Sequence, residues 1–324
     1  MKAWFIREPG GPGQFRLENI ETPKARKGWT LIRIRAFGLN RSEWFTRNGD
    51  SPSVKFPRVL GIECVGEVVE SGGLKLASGT KVAAIMGGMG REFDGSYAEY
   101  TLVPNSCVFP LETGLAWESL AAYPEMLQTT HGSLFEALEI ERADSLLIRG
   151  GTSSIGMAAL AIAKNSGLRV GTTTRNPKRV KDLMNAGADE VLIDTGSLQE
   201  QLEENKSGPY DRVLELIGTS TLIDSLRCVR SGGIVCMTGI LGGKWSLKNF
   251  EPMGDIPTAV KLTSYSGEAS NLSAKQFQKY LELIEQGELK VETGPIFEFE
   301  ELIEAHELMD ANQAGGKIVV LGKQ

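Results

Sequence analysis

Histidine is nearly missing from this sequence: His131 and His306 are the only two imidazoles in 324 residues. A metal centre or an acid–base site built on histidine therefore has little to draw on. Cysteine is sparse as well, and Cys64, Cys107, Cys228 and Cys236 form no Cys-x-x-Cys pair and suggest no disulfide framework, so they read as small buried hydrophobes. Excess positive charge is absent. Lys and Arg number 35 against 41 Asp and Glu, a net charge of -6 with a pI near 5.3, which offers no general basic surface to nucleic acid or anionic lipid. No apolar run approaches the length of a membrane span, and the start MKAWFIREPGG lacks the basic-then-apolar layout of a secretory signal. The expectation is a cytoplasmic protein with no membrane and no nucleic-acid partner.

What is present is ordinary globular composition, 41% hydrophobic and 23% charged, in a chain long enough to favour two lobes over one core. Up to about residue 120, short β-rich runs such as TLIRIRAFGL, IECVGEVVES, TKVAAI and SYAEYTLV are separated by Gly and Pro, the pattern of a barrel-like β domain. From Leu146 the texture changes. Apolar strand-length runs now alternate with helical segments closed by glycine: SLLIR, a helix from Ile155 to Asn165 ending at Gly167, RVGTTT, PKRVKDLMNA ending at Gly187, then EVLID. The alternation continues through a polar helix at SLQEQLEEN, DRVLELIG, TLIDSLRCVR, GIVCMTG, KLTSYSG and AKQFQKYLELIEQ. Buried strands alternating with helices predict an α/β, doubly wound parallel sheet covered on both faces.

The strongest chemical signal is Gly150-Gly151-Thr152-Ser153-Ser154-Ile155-Gly156, set between an apolar strand and an amphipathic helix. Small residues there let the backbone approach a pyrophosphate, and the helix start offers free N–H groups and partial positive charge. NAD sites present an acid at the end of the next strand to hold the ribose 2′-hydroxyl. Here that strand ends Thr174-Arg175-Asn176-Pro177-Lys178-Arg179, with no acid and with cations at Arg175, Lys178 and Arg179. Guanidinium and ammonium groups suit a 2′-phosphate, so NADPH is the indicated cofactor; the bland alternative is a solvated start to the following helix.

The combination of GLNRSEW, LGIECVGEVVESG, GSYAEYTLVP, the GGTSSIG loop and the terminal GKIVVLG resembles the medium-chain dehydrogenase/reductase superfamily, in its zinc-independent quinone oxidoreductase branch. The resemblance implies a GroES-like β-barrel catalytic domain over residues 1–122 and 286–324, a Rossmann nucleotide-binding domain over 123–285, the cofactor in the cleft between them and a homodimer. In zinc-dependent relatives a cysteine stands where Asn40 is and a histidine where Ile62 is, so neither ligand is present, and Glu63 with Cys64 reads as a structural acid beside a packed strand residue. Carried over residue by residue, the resemblance places Asn40 and Thr129 near the nicotinamide, Thr238, Gly239 and Leu241 along its pocket, Ile217 and Gly218 among the cofactor contacts, and Arg179 at the 2′-phosphate. Ser153 replaces the usual middle glycine and is expected to offer its hydroxyl to phosphate. Phe45 replaces a tyrosine common in this branch, which removes a donor from the active site.

The activity these expectations describe is hydride transfer from NADPH to a quinone or small α,β-unsaturated carbonyl. The named catalytic residues are Asn40, to orient acceptor or cofactor or to polarise the carbonyl, and Phe45, which with Trp44 either walls the substrate pocket or belongs to the core. Reduction of an enoyl thioester, alcohol oxidation and a non-catalytic NADPH-binding sensor stay open as alternatives. A short-chain dehydrogenase is excluded, because none of the six tyrosines has a lysine four positions later. His131 reads as a packing residue.

Overall fold

Alternating burial builds the first part of the chain, seen here in a computed structural model that describes Met1 to Lys323. The elements run β1 (Lys2–Ile6), β2 (Arg16–Asn19), β3 (Trp29–Gly38), α1 (Arg41–Arg47), β4 (Arg58–Val59), β5 (Glu63–Ser71), β6 (Lys81–Ile85), β7 (Tyr100–Pro104), β8 (Val108–Pro110), α2 (Trp117–Leu120) and α3 (Pro124–His131). They continue as β9 (Ser145–Arg149), α4 (Ser154–Asn165), β10 (Arg169–Thr174), α5 (Val180–Asn185), β11 (Glu190–Ile193), α6 (Leu198–Asn205), β12 (Tyr210–Glu215) and α7 (Leu222–Arg227). The last are β13 (Val229–Met237), α8 (Pro252–Asp255), β14 (Lys261–Ser264), α9 (Ala274–Glu285), β15 (Ile296–Phe297), α10 (Leu302–Asp310) and β16 (Val319–Leu321). Two compact units result: Met1–Gln128 with Glu268–Glu285 and Thr293–Gln324, and Thr129–Gly267 with Gln286–Glu292.

In the first unit β3 is the hub. Its length lets it pair antiparallel with β7 near its start, with β5 through most of its course and with β16 at its end. The larger sheet runs β15-β16-β3-β5-β6-β8 with β7 also on β3, and a smaller one runs β2-β1-β4. The expected strand at SYAEYTLV begins only at Tyr100. Residues 96–99 instead divide their backbone contacts among three segments, Tyr97 N to Leu60 O, Trp4 N to Tyr97 O and Glu99 N to Lys2 O on β1, and Ile34 N to Glu99 O on β3, so no continuous ladder forms.

The second unit is a six-stranded sheet in the order β11-β10-β9-β12-β13-β14. All its pairings are parallel. β9 and β12 are fully buried along their length, as strands sandwiched between helices must be. Strand order advances outward from β9 through β10 to β11, then restarts on the other side with β12. The carboxyl ends of β9 and β12 thus flank the reversal of direction, the place where open α/β sheets bind ligands.

Three expectations shift. The strand at DRVLELIG stops at Glu215, because the Glu215 carboxylate takes hydrogen bonds from the backbone N–H groups of Ile217 (2.7 Å) and Gly218 (2.9 Å) and turns the chain. The helix expected through Arg230 ends at Arg227, since Val229 is already paired in β13. Helix α9, and the residues before Thr129, fall in the first unit rather than with the nucleotide-binding fold. Gln278 of α9 bonds both the N–H and the C=O of Glu112, Glu285 accepts from Gly114 N, and Phe277 packs edge-on against Phe109.

Candidate active site

At the end of β9 the loop Gly150–Ser153 opens α4. Ser153 is the N-cap: its hydroxyl donates to Gly150 O (2.8 Å) and accepts from Gly156 N (3.1 Å). The serine that stands at the glycine position is therefore engaged inside the loop as a cap, rather than offering a free proton. Gly156 tolerates no side chain, for a Cβ there would lie 2.5 Å from Gly150 O. Thr152, Ser154 and Ile155 are partly exposed around the helix start.

Arg149, the residue before this loop, is wholly buried and was not singled out from sequence. Its guanidinium binds Asp194 in bidentate fashion (2.8 and 2.9 Å) and also reaches Asp224 (2.6 Å), Thr221 O and Ser225. Burial works against the charge, but Asp194, Glu215 and Asp224 outweigh it and hold Arg149 above its ordinary range. Glu215 in turn bonds Thr221 and Ser225. One ionic network thus ties the ends of β9, β11 and β12 to the start of α7, fixing the edge on which the loop sits.

At the end of β10, Thr174 and Asn176 close a tight turn on each other, and Asn176 Oδ1 accepts from Lys178 N. Arg175 and Lys178 are exposed; Arg179 pairs with Asp182 at 2.7 Å on the surface. No acid replaces them at the strand end.

Thr129, Ser133 and Thr238 form a third group. Ser133 Oγ donates to Thr129 O (2.7 Å) and lies 2.9 Å from Thr238 Oγ1. Backbone N–H groups of Thr238 and Gly239 both donate to Glu215 O, and that of Leu241 donates to Leu216 O, so the segment after β13 runs back along the end of β12 beside Ile217 and Gly218. A π-helical stretch, Gly132–Ala137, follows α3, and Tyr265 packs so closely on it that a Cβ on Gly132 would fall 1.9 Å from the phenol oxygen. Ser133 and Tyr265 were not foreseen. His131 packs its ring on Phe135 at 4.7 Å, and burial lowers its proton affinity.

In the first unit, Asn40 precedes α1 and is 7% exposed. Its Nδ2 donates to Glu43 Oε1 (3.2 Å) and Glu63 Oε1 (3.0 Å), and its Oδ1 accepts from Lys317 Nζ. Lys317 also meets Glu63 (2.6 Å) and Glu125 (3.1 Å). Glu63 Oε2 takes the backbone N–H of Glu125 at 2.7 Å, and Glu43 Oε1 takes that of Ile62 at 3.2 Å. Burial works against the charge on Lys317, but Glu63 and Glu125 outweigh it and hold the ammonium above its ordinary range. Burial pushes the Glu43 carboxyl up to about 7, with the Asn40 hydrogen bond pulling the other way. Phe45 is buried, edge-on to Trp44 at 5.0 Å.

A zinc ion does not fit these residues. An amide and an isoleucine stand where thiolate and imidazole would be needed, and the ammonium of Lys317 fills the space among Asn40, Glu63 and Glu125. Among the described residues no three His, Cys, Asp or Glu side chains are grouped to hold a metal. Glu43, Glu125 and Lys317 escaped the sequence reading. The available signal was a charged residue bordering an apolar stretch, as in GKIVVL, which must find a partner once buried.

A mostly antiparallel β-rich unit and a parallel α/β unit with a phosphate-type loop at its switch point define a two-domain dehydrogenase or reductase. The comparisons agree: the profile of the alcohol dehydrogenase GroES-like domain matches residues 26–113, and that described as zinc-binding dehydrogenase matches 186–320. The quinone oxidoreductase of Mus musculus is 27% identical, over 99% of this chain and 98% of its own; the acryloyl-coenzyme A reductase of Sulfurisphaera tokodaii is 24% identical over 99% of each. Among solved structures, a quinone oxidoreductase of Pseudomonas syringae superposes with a TM-score of 0.87 at 21% identity, over 99% of each chain. A mycobacterial protein solved with NADPH superposes with a TM-score of 0.86 at 24%, again over 99% of each. The chain belongs to the medium-chain dehydrogenase/reductase superfamily, in its quinone oxidoreductase-like branch, and is an oxidoreductase. No helix among the described residues is long and apolar enough to cross a membrane.

Proposed function

We propose that this chain is a zinc-independent, NADPH-dependent reductase that delivers hydride to a quinone or a small α,β-unsaturated carbonyl. The observation that carries the reading is the acid-free, cationic turn at Arg175, Lys178 and Arg179, one strand away from the Gly150–Gly156 loop. Reduced nicotinamide, when bound, supplies the hydride. The chain's own residues do the rest. The start of α4 and the loop N–H groups take the pyrophosphate, Arg175 and Lys178 the 2′-phosphate, and Thr174, Ile217 and Gly218 border the adenosine side. Thr129, Thr238, Gly239 and Leu241 line the nicotinamide.

Asn40 has both amide hydrogens engaged with Glu43 and Glu63, so it has none left to polarise an acceptor carbonyl. Its remaining capacity is a lone pair on Oδ1, which suits a cofactor amide or hydroxyl. Phe45 gives an apolar wall, and solvent supplies the proton that follows hydride transfer. The ammonium of Lys317 standing among Asn40, Glu63 and Glu125 supports the metal-free reading.

The acryloyl-coenzyme A reductase relatives favour one second reading, an enoyl thioester as acceptor, which undergoes the same conjugate addition of hydride. A homodimer also belongs to the proposal: β14 ends the six-stranded sheet with no strand on its outer side among the described residues, an edge open to pairing. The test is steady-state oxidation of NADPH against a panel of quinones, enones and enoyl thioesters, with products identified. Turnover of the first two classes supports the proposal, preference for the thioester selects the second reading, and turnover of none contradicts both.

A further inference from the structure

Lys317 lies two residues before β16, the last strand of the first unit, and far in sequence from every group it touches. Three acceptors meet its ammonium: Glu63 Oε1 at 2.6 Å, Glu125 Oε2 at 3.1 Å and Asn40 Oδ1. An ammonium has three protons, and three acceptors engage them all. Lys317 is 2% exposed and Glu63 0%, so water does not compete. The backbone is shaped to allow this approach: a Cβ on Gly38 would lie 2.5 Å from Glu63 Oε1 and 2.6 Å from Lys317 Cε.

The consequence falls on Asn40. An asparagine side chain has two nearly isosteric orientations that exchange its oxygen and its nitrogen. In one, Oδ1 faces the Lys317 ammonium and Nδ2 faces the carboxyl oxygens of Glu43 and Glu63. Turned over, NH2 would face ammonium and carbonyl would face two carboxyls, so every favourable contact becomes repulsive. Lys317 and the acids admit one orientation only, in a buried setting where each such contact is strong.

We propose that Lys317 is a positioning residue whose ammonium sets the orientation of the Asn40 amide and, through it, the acceptor that Asn40 presents to the reaction. The second half rests on the reductase reading above; the first half stands without it. With its three protons engaged by Asn40, Glu63 and Glu125, Lys317 has none to offer a substrate or cofactor. It acts as a fixed cation behind the side chain that does, and Glu125 and Glu63 hold it in place.

The experiment uses the full chain with asparagine labelled by nitrogen-15, the Asn40 side-chain NH2 resonance being identified by its loss in Asn40→Asp. Because Lys317→Met alone strands the buried Glu63 and the partly buried Glu125 carboxyls, the informative variant is Lys317→Met with Glu63→Gln, which removes one positive and one negative charge together and is read against Glu63→Gln alone, since Glu63 Oε1 itself accepts from Asn40 Nδ2; Lys317→Arg is the conservative rescue. In the wild type the Asn40 NH2 pair is protected from solvent exchange. In the double variant it loses protection and shifts, kcat falls by about tenfold or more, and the KM for NADPH changes by less than about twofold, because orientation at the reacting centre is lost while phosphate binding is not. Lys317→Arg retains both the resonance and most of kcat. A folded double variant with the wild-type Asn40 resonance and kcat overturns the proposal. Should the wild type turn over no acceptor, the reductase reading fails, and the resonance alone decides whether Lys317 orients Asn40.

Discussion

Lys317 and Glu63 stand 2.6 Å apart with both side chains closed off from solvent, joining the end of the chain to the start of β5. Breaking such a pair from one side leaves a buried charge without a partner. Lys317→Met is expected to lose about 3–5 kcal/mol of stability, with Glu63→Gln in the same chain restoring part of it. Urea denaturation of the four chains of the double-mutant cycle checks this. Strict additivity of the two single losses would show that the pair is not energetically coupled.

Glu43 gives a pH dependence of definite sign. Its carboxyl is pushed up to about 7 by burial, from an ordinary value of 4.5, and one oxygen, Oε2, has no hydrogen-bond partner. A carboxyl raised on folding contributes stability that is complete below its unfolded value and is lost as pH rises through the folded one. Glu43→Gln, which imitates the protonated acid, should lose less stability than the wild type as pH climbs from about 5 to 8, by a margin on the order of 3 kcal/mol. Parallel urea midpoints across that range would show that Glu43 is already ionised in the folded chain.

The proposed preference for NADPH rests on exposed cations. Arg175→Ala or Lys178→Ala should raise the KM for NADPH roughly tenfold each and leave that for NADH nearly unchanged, since only the former carries the 2′-phosphate. The effect should shrink as salt is added. Equal losses with both cofactors would move these residues from phosphate recognition to general structure.

Ser153 separates capping from ligand binding. Its hydroxyl is engaged with Gly150 O and Gly156 N, so Ser153→Ala removes a helix cap and should cost about 1 kcal/mol of stability. Affinity for NADPH, followed by fluorescence titration, should fall by no more than about threefold once the loop is formed. A loss much larger than that would make the hydroxyl a direct phosphate ligand after all.

The alternation of strands and helices was legible from Leu146 onward because the buried strands read as apolar runs and the first two helices, α4 and α5, are closed by glycines; Gly167 and Gly187 both adopt positive φ, at 85° and 103°. The glycine-rich turn between β9 and α4 was legible for the same local reason. What escaped lies in side chains that meet across long sequence separations. Nothing near Lys317 announces Glu63, Glu125 or Asn40, and nothing near Arg149 announces Asp194 or Asp224. Tyr265 was read as part of a strand, yet β14 stops at Ser264 and the phenol turns onto Gly132. Asn40 was singled out through the family resemblance, as a residue beside the nicotinamide, but its amide faces inward because of partners that only the fold supplies.

The most direct test is NADPH oxidation by protein first treated with chelator and verified free of zinc, with a quinone and an enone as acceptors and NADH run in parallel. Undiminished turnover that prefers NADPH is the predicted result. Activity that disappears with the metal and returns on adding zinc would contradict the account, because the space among Asn40, Glu63 and Glu125 would then belong to a metal ion rather than to Lys317.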